Sequence, residues 1–514
     1  MHGYHTYKQD IHQNTRGSAQ VETLYHSTRS SNEVVTSKQA ILTGIAPDGG
    51  LYVSDQLGAQ LVDLARVAHQ GYHATARDVL ATLLSDYTAD EVASCVAGAY
   101  GDNFDTPAIT PLTPLGADWL LELYHGPTCA FKDVALQMLP RLMSVAREGD
   151  GHDVMIVTAT SGDTGKAALE GFADVAGTGV TVFYPDGKVS DIQHLQMATQ
   201  RGANVAVAGI RGNFDDAQTQ VKRIFADPAV NARLAEAGVV LSSANSINVG
   251  RLVPQVTYYM DAYAQLVQRG AIAVGDEVDY CVPTGNFGDV LAGYYAKRLG
   301  LPVGRLIVAS NTNKVLTDFI ETGTYDRRRD FVKTISPSMD ILISSNLERL
   351  LYYLTDGDCE RVAAWMADLS KTGVYTLPTE VMDRMRETFD CGFATDDDTR
   401  DTIRSTWESE HVLIDTHTAV GKCVIDRRAS EGRQRVCLST ANPYKFSADV
   451  LAALGVRTDG MDGFACMDAL QELTGVEAPR QLSGLREAKV LHPDVCDQDE
   501  MSDFVEAACA RVFA

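Results

Sequence analysis

From Asp153 to Ser310 the sequence repeats one pattern, a short apolar run closed by glycine, asparagine or hydroxyl residues and then an amphipathic helical stretch. The runs are DVMIVTAT, GVTVFYP, ANVAVAG, GVVLSSA, VDYCVPT and RLIVAS. Short β-branched runs alternating with helical segments specify parallel strands joined by helical crossovers. The expected class is therefore α/β. In open parallel sheets ligands bind beyond the carboxyl ends of the strands. Three runs end in turns suited to that, SGDTG after the first, NSIN after the fourth and TGNFGD after the fifth, and these are expected to converge on one site.

The 514 residues suffice for two or three domains. Residues 1–20 are polar and aperiodic and predict a flexible extension. A small N-terminal domain is expected over 21–105, with helices in QLVDLARVAHQG and ARDVLATLLSDY, and with Pro107, Pro111 and Pro114 punctuating its exit. The catalytic region is expected over 106–514, with a smaller α/β subdomain at about 150–250. Beyond 345 the pattern is mainly helical until RVCLSTANPYKF, and SDFVEAACARVFA reads as a closing amphipathic helix.

A formal net charge of −24, from 44 basic and 68 acidic residues, repels a phosphate backbone unless a basic patch is focused somewhere. The one compact basic run, Arg327 to Arg329, is flanked by Asp326 and Asp330 and predicts a solvated turn, not a nucleic-acid contact. Ten scattered cysteines, with no pair at metal-ligand spacing, read as reduced and mostly buried thiols, and no metal is expected. No segment approaches the roughly 20 apolar residues that cross a bilayer, and the first residues lack the apolar core of a secretory signal. The expectation is a cytoplasmic protein with no membrane partner.

TGNFGD lies between a β-branched run and a helical stretch, so its amides open a helix N-terminus; it is either an anion cradle or a plain structural turn. TSGDTGKAA looks at first like the end of a P-loop. The match fails, because Thr160 stands where that loop needs glycine and Ala167 where it needs a magnesium-binding hydroxyl. The same turn can instead receive a carboxylate. In HGPTCAFKD, Lys132 follows Phe131 and is either a surface cation on a first helical turn or a nucleophile. Two anion-binding turns facing a lone amine suit a phosphorylated aldehyde cofactor held as a Schiff base, with a substrate carboxylate in the second turn.

On HGPTCAFKD, TSGDTGKAA, NSINVGRL, VPTGNFGD, PSMDILISSNLERL, DTHTAV and LSTANPYKF, in that order from 125 to 447, with YHSTR near the start, the chain closely resembles the threonine synthase family, in its longer branch. The resemblance implies a type II pyridoxal-phosphate fold, related to the tryptophan synthase β chain, with two open parallel-sheet α/β domains plus the small N-terminal domain. It implies pyridoxal 5'-phosphate as cofactor and conversion of O-phospho-L-homoserine and water to L-threonine and phosphate, the last step of threonine biosynthesis. A monomer or homodimer is expected. Departures are Cys129, where the family usually has leucine or phenylalanine, and Val249-Gly250, which replace a bulkier pair.

By the same resemblance Lys132 is the catalytic residue and the covalent cofactor link. Gly285, Asn286 and Phe287 offer amides to the cofactor phosphate, and Asp289 closes that turn, accepting backbone amides or capping the helix. Thr440, beside Ser439, meets the pyridine nitrogen. Ser161, Gly162, Asp163, Thr164 and Gly165 form the substrate-carboxylate turn. Asn248 and Arg251 are candidates for the substrate phosphate, although Arg251 reads equally as a helix-surface cation. His125, His194 and His417 are expected to be satisfied structural histidines. A lyase or dehydratase on the same scaffold, releasing 2-oxobutyrate and ammonia, and a non-catalytic sensor are the rival functions.

Overall fold

The computed structural model of the chain describes residues 22–149, 151–160 and 162–514; the expected extension at 1–20 and the site candidate Ser161 lie outside the described residues. The apolar runs become strands, distributed over two sheets. A five-stranded sheet orders Val495–Cys496, Val205–Ile210, Thr178–Pro185, Asp153–Ala159 and Val239–Ser242, all parallel. A six-stranded sheet orders Phe389–Phe393, Val303–Ser310, Val278–Pro283, Gln434–Ser439, Asp118–Glu122 and Leu112–Leu115, with only the last antiparallel. Thr178–Pro185 and Val278–Pro283 are buried along their whole length. That is the signature of strands covered on both faces by crossover helices. Tyr25–Ser27, Ser30–Val35 and Tyr52–Val53 form a separate antiparallel sheet near the start.

Helix Lys132–Arg147 carries the chain from the larger sheet to the smaller. Leu136, Leu139, Leu142 and Met143 on it are fully buried, and a buried side chain of this kind contributes roughly 1.5–3 kcal/mol. It packs against helix Asp163–Phe172, which follows the first strand of the smaller sheet. Their approach depends on Gly171, since a Cβ there would lie 1.9 Å from the Leu136 carbonyl oxygen. No side chain can replace that hydrogen without separating the helices. The glycine thus sets Asp163, at one helix start, beside Lys132 at the other.

The structure adds detail to three local readings. QLVDLARVAHQG holds only the short helix Leu64–Val67, because Asp63 caps it through Arg66 N and the chain restarts at Gly71, the N-cap of helix Tyr72–Leu83. The region beyond 345 is mainly helical before RVCLST, as expected, interrupted by the short strand Val374–Thr376 and by Phe389–Phe393, an edge strand of the larger sheet. Its five residues are too few to register against the helices on either side. The proline-rich exit at 107–114 is also partly strand. Pro114 lies in the antiparallel edge strand Leu112–Leu115, a position where a missing N–H is tolerated.

Among the described residues no helix is long and apolar enough to cross a membrane, and no group of three or more histidine, cysteine or acidic side chains could hold a metal. All ten cysteines are unpaired and nine are buried.

Candidate active site

Lys132 is the first residue of helix Lys132–Arg147, and the loop before it is fixed from two sides. Phe131 N donates to the Thr440 carbonyl (2.9 Å), Asn442 N donates to the Cys129 carbonyl (3.0 Å), and Ala130 and Ala441 form an antiparallel bridge. HGPTCAFKD and LSTANPYKF therefore meet directly, which places Lys132 beside Thr440. Cys129 holds a left-handed backbone (φ 59°), a costly conformation for a residue with a Cβ. Asp133 pays part of that cost: its buried carboxylate accepts from Thr128 N (2.8 Å) and Thr128 Oγ1 (2.7 Å) and so clamps the turn. Burial pushes the Asp133 carboxyl up to about 6, against the pull of those hydrogen bonds.

The Lys132 side chain is 14% exposed, and its Nζ stands 3.8 Å from Asp163 Oδ2. Burial lowers its proton affinity, Asp163 opposes that, and the nearby cations Lys445 and Arg251 lower it further. These are conditions that favour a free amine. Asp163 responds the other way: burial would raise its carboxyl, but Lys445 and Lys132 together outweigh burial and hold it well below the usual carboxylate range.

In TGNFGD the carbonyls are tied back while the amides are left open. Ser344 Oγ donates to the Gly285 carbonyl (2.7 Å), and Asn346 donates to the Asn286 carbonyl from both N and Nδ2 (3.1 Å each). The amides of Gly285, Asn286 and Phe287 have no acceptor among the described residues. Phe287, in the left-handed region (φ 63°), is the N-cap of helix Gly288–Arg298 and supplies no side-chain cap. Three unfilled donors at a helix N-terminus form an anion cradle. A Cβ on Gly285 would lie 2.7 Å from the Ser338 carbonyl oxygen, so the close backbone approach requires glycine.

Asp289 departs from expectation in its partners. It accepts from the Tyr258 hydroxyl (2.6 Å) and the Tyr259 hydroxyl (3.0 Å), not from backbone amides, and it caps nothing. Both tyrosines sit on helix Val249–Gln268, so the carboxylate pins the cradle helix to that helix. Burial raises Asp289 to about 6 despite the two hydroxyls.

The second turn is built around Thr160, whose Oγ1 accepts from Gly162 N (3.0 Å) and Gly165 N (3.1 Å). Gly162 gives helix Asp163–Phe172 no side-chain cap, which leaves the amides of Asp163 and Thr164 open at its positive end. A Cβ on Gly165 would meet Thr160 Cγ2 at 2.2 Å.

Arg251 is not on the surface. It is 3% exposed, its Nη1 donates to the Ala244 carbonyl (3.1 Å), and among the described residues its Nε has no partner and no carboxylate pairs with it. Burial pushes its guanidinium down to about 10. Asn248, fully buried, spends its amide elsewhere: Nδ2 donates to the Ile41 carbonyl (2.9 Å) and Oδ1 accepts from Gly250 N (2.8 Å), capping the helix that carries Arg251. It aims that helix instead of offering its side chain to a ligand. Thr440 is 5% exposed and its hydroxyl makes no hydrogen bond among the described residues, while Ser439 Oγ is paired with Thr418 Oγ1 (2.9 Å).

Two of the three histidines expected to be structural are satisfied by hydrogen bonds, and the third packs against a tyrosine. His417 Nδ1 lies 2.7 Å from Asp415 Oδ2 while its Nε2 accepts from Ser338 N (3.1 Å), and His194 packs against Tyr184. His125 is satisfied as a cation: burial opposes its charge, but hydrogen bonds to Asp105 and Glu122 prevail and raise it to about 9.

Sequence reasoning missed Asp133, Lys445, Ser344 and Asn346 as members of the site. Each lay inside a quoted motif without a role. It also missed Arg349, fully buried, which donates to the carbonyls of Tyr52 (2.9 Å) and Ile247 (2.6 Å) and to Asn346. One guanidinium thus ties the N-terminal sheet, the NSIN turn and the cradle together.

A buried amine beside one open helix N-terminus, with a second open helix N-terminus at the carboxyl end of a parallel strand in the larger sheet, suits a pyridoxal-phosphate dependent enzyme, and residues 106–440 match the family model of that description. Residues 24–100 match the threonine synthase N terminus and 418–491 the threonine synthase C-terminal model. The chain is 38% identical over 431 residues to threonine synthase-like 1 of Homo sapiens, covering 82% of this chain and 58% of that protein. It is 37% identical over 474 residues to threonine synthase of Schizosaccharomyces pombe, covering 85% of this chain and 90% of that protein. The crystal structure of pyridoxal-phosphate-bound threonine synthase from Brucella melitensis superposes with a TM-score of 0.86 at 36% identity, covering 96% of this chain and 100% of that one. The chain belongs to the threonine synthase family.

Proposed function

We propose that this chain converts O-phospho-L-homoserine and water to L-threonine and phosphate. The observation that carries the reading is Arg251, a buried guanidinium with no carboxylate, close enough to Lys132 to lower its proton affinity. A buried cation without a counter-ion is costly, so a site retains it where a ligand brings the anion. Pyridoxal 5'-phosphate, when bound, supplies an electron sink for the carbon acids of the substrate.

The residues present fit that cofactor. Lys132 would hold it covalently, the amides of Gly285, Asn286 and Phe287 would take its phosphate, and the free Thr440 hydroxyl would meet its ring nitrogen. A hydroxyl leaves that nitrogen unprotonated, where a carboxylate would protonate it. The amides of Asp163 and Thr164, with Gly162 and Gly165 in the same turn, would receive the substrate carboxylate, and Arg251 its phosphate. Displaced by substrate, Lys132 would take a proton from the α-carbon and move protons between neighbouring carbons before phosphate leaves. Approach of the smaller sheet to the larger would exclude water from reactive intermediates. We also place the division at 21–105 and 106–514, with the subdomain at about 150–250, and read the enzyme as cytoplasmic and monomeric or homodimeric.

The test is incubation of purified protein with O-phosphohomoserine, with threonine and phosphate both quantified. Equal amounts of the two are expected, whereas 2-oxobutyrate and ammonia would replace this reading with a dehydratase. Borohydride should trap the cofactor on Lys132, and Lys132→Ala should abolish turnover; trapping at another lysine refutes the assignment.

A further inference from the structure

Lys445 is a second buried amine in the site, with a side chain 2% exposed. Its Nζ stands 2.7 Å from Asp163 Oδ1 and donates to the Thr128 carbonyl (2.7 Å). The other oxygen of Asp163, Oδ2, faces Lys132 Nζ at 3.8 Å. One carboxylate is therefore shared between two lysines. The three residues come from three segments: Asp163 from the helix after the smaller sheet, Lys132 from the central helix, and Lys445 from the 3-10 turn Pro443–Phe446 that follows a strand of the larger sheet. We propose that Lys445 is a positioning cation that acts through Asp163, holding this carboxylate ionised and drawing its charge away from Lys132, so that the Lys132 amine loses its proton more readily.

A cation at hydrogen-bond distance keeps a buried carboxylate charged, and a carboxylate shared between two cations stabilises each less than it would alone. The charged groups that act on Lys132 are Asp163, Lys445 and Arg251 from the elements packed against it and Asp133 on its own helix, while His417 acts on Asp163. Asp163 is the nearest anion among them, and Asp133 is committed to Thr128. Lys445 also spares the substrate turn a net negative charge: without it Asp163, at the start of the helix whose open amides would receive a carboxylate, would repel that anion. This second consequence rests on the function proposed above; the charge relation between the two lysines does not.

The test is the pH midpoint for acylation of Lys132 by an amine-reactive anhydride in the full-length, cofactor-stripped protein, read by mass spectrometry of the Lys132 peptide. Asp163→Asn should lower the midpoint by about 1 pH unit, because an opposite charge at this distance is lost. Lys445→Met should raise it by about half a pH unit, since Asp163 then faces Lys132 alone. The double variant should keep the lowered midpoint of Asp163→Asn, because Lys445 acts through Asp163, and Lys445→Arg should leave the midpoint unchanged. A structural role moves both single variants in the same direction by loosening the site. Shifts of one sign, or no shift in either, overturn the proposal. If Lys445→Met does not fold, the near-isosteric Asp163→Asn and the charge-preserving Lys445→Arg decide: a lowered midpoint in the first with an unchanged one in the second supports it, and any other pair refutes it. Borohydride trapping reports on Lys132 as cofactor link independently, so the two readings fail separately.

Discussion

Arg251→Met should stabilise the cofactor-stripped protein while it cripples substrate binding, because the guanidinium is buried with one unpartnered nitrogen and no carboxylate beside it among the described residues. Burial pushes it down to about 10, and at about 1.36 kcal/mol per pH unit the cost of keeping it charged at neutral pH is ~3 kcal/mol. Methionine removes this cost and the unpartnered Nε, and it fills similar length with an adaptable apolar chain. The loss is one hydrogen bond to the Ala244 carbonyl at 3.1 Å, ~1 kcal/mol. The net gain is ~2 kcal/mol, which for a chain of this length raises the melting temperature by about 2 °C. Binding moves the other way. Truncating one side of a buried charged pair costs about 2–5 kcal/mol, or about 30-fold to several thousand-fold in phosphohomoserine affinity. Differential scanning calorimetry with and without inorganic phosphate reads both effects: phosphate should stabilise the wild type more than the variant, which keeps only the TGNFGD cradle. A variant that melts several degrees lower yet binds phosphohomoserine like wild type would show that Arg251 supports the fold instead of a ligand.

Gly171→Ala should cost about 3 kcal/mol or more, seen as a lower urea midpoint, because its Cβ would strike the Leu136 carbonyl at 1.9 Å and backbone cannot yield as a side chain does; an unchanged midpoint would mean the helices separate freely. Asp261, buried outside the site, is pushed up to about 7 by burial against hydrogen bonds from Gln265 and Thr110. A carboxyl raised in the folded state favours folding below its unfolded value near 4, and that contribution is lost as pH rises through 7. Asp261→Asn should therefore gain on wild type between pH 4 and 8, by up to ~4 kcal/mol, and a constant difference across that range would place the titration elsewhere.

The local order of the chain is written in its sequence. Alternation of apolar runs with amphipathic stretches depends only on near neighbours, so the six strands from Asp153 to Ser310 were legible, as were the glycine turns, which need particular backbone angles at particular positions. Lys132, TGNFGD and TSGDTG stood out for the same reason. The failures arise where partners are distant along the chain. A five-residue edge strand such as Phe389–Phe393 carries too little pattern to be separated from its flanking helices, and only pairing with Val303–Ser310 makes it a strand. Asp289 looked like a cap because its neighbours in sequence are amides; in the fold its neighbours are Tyr258 and Tyr259, on another helix. Arg251 reads in the sequence as either a phosphate ligand or a surface cation, and its burial is decided by the packing of the helix that Asn248 caps. Lys445 was one basic residue in a quoted motif until Asp163 arrived beside it from the other sheet. Backbone conformation and amphipathic period are short-range properties that a sequence states directly. Burial, charge pairing and proton affinity depend on what surrounds a group in space, and only the closed tertiary structure supplies that.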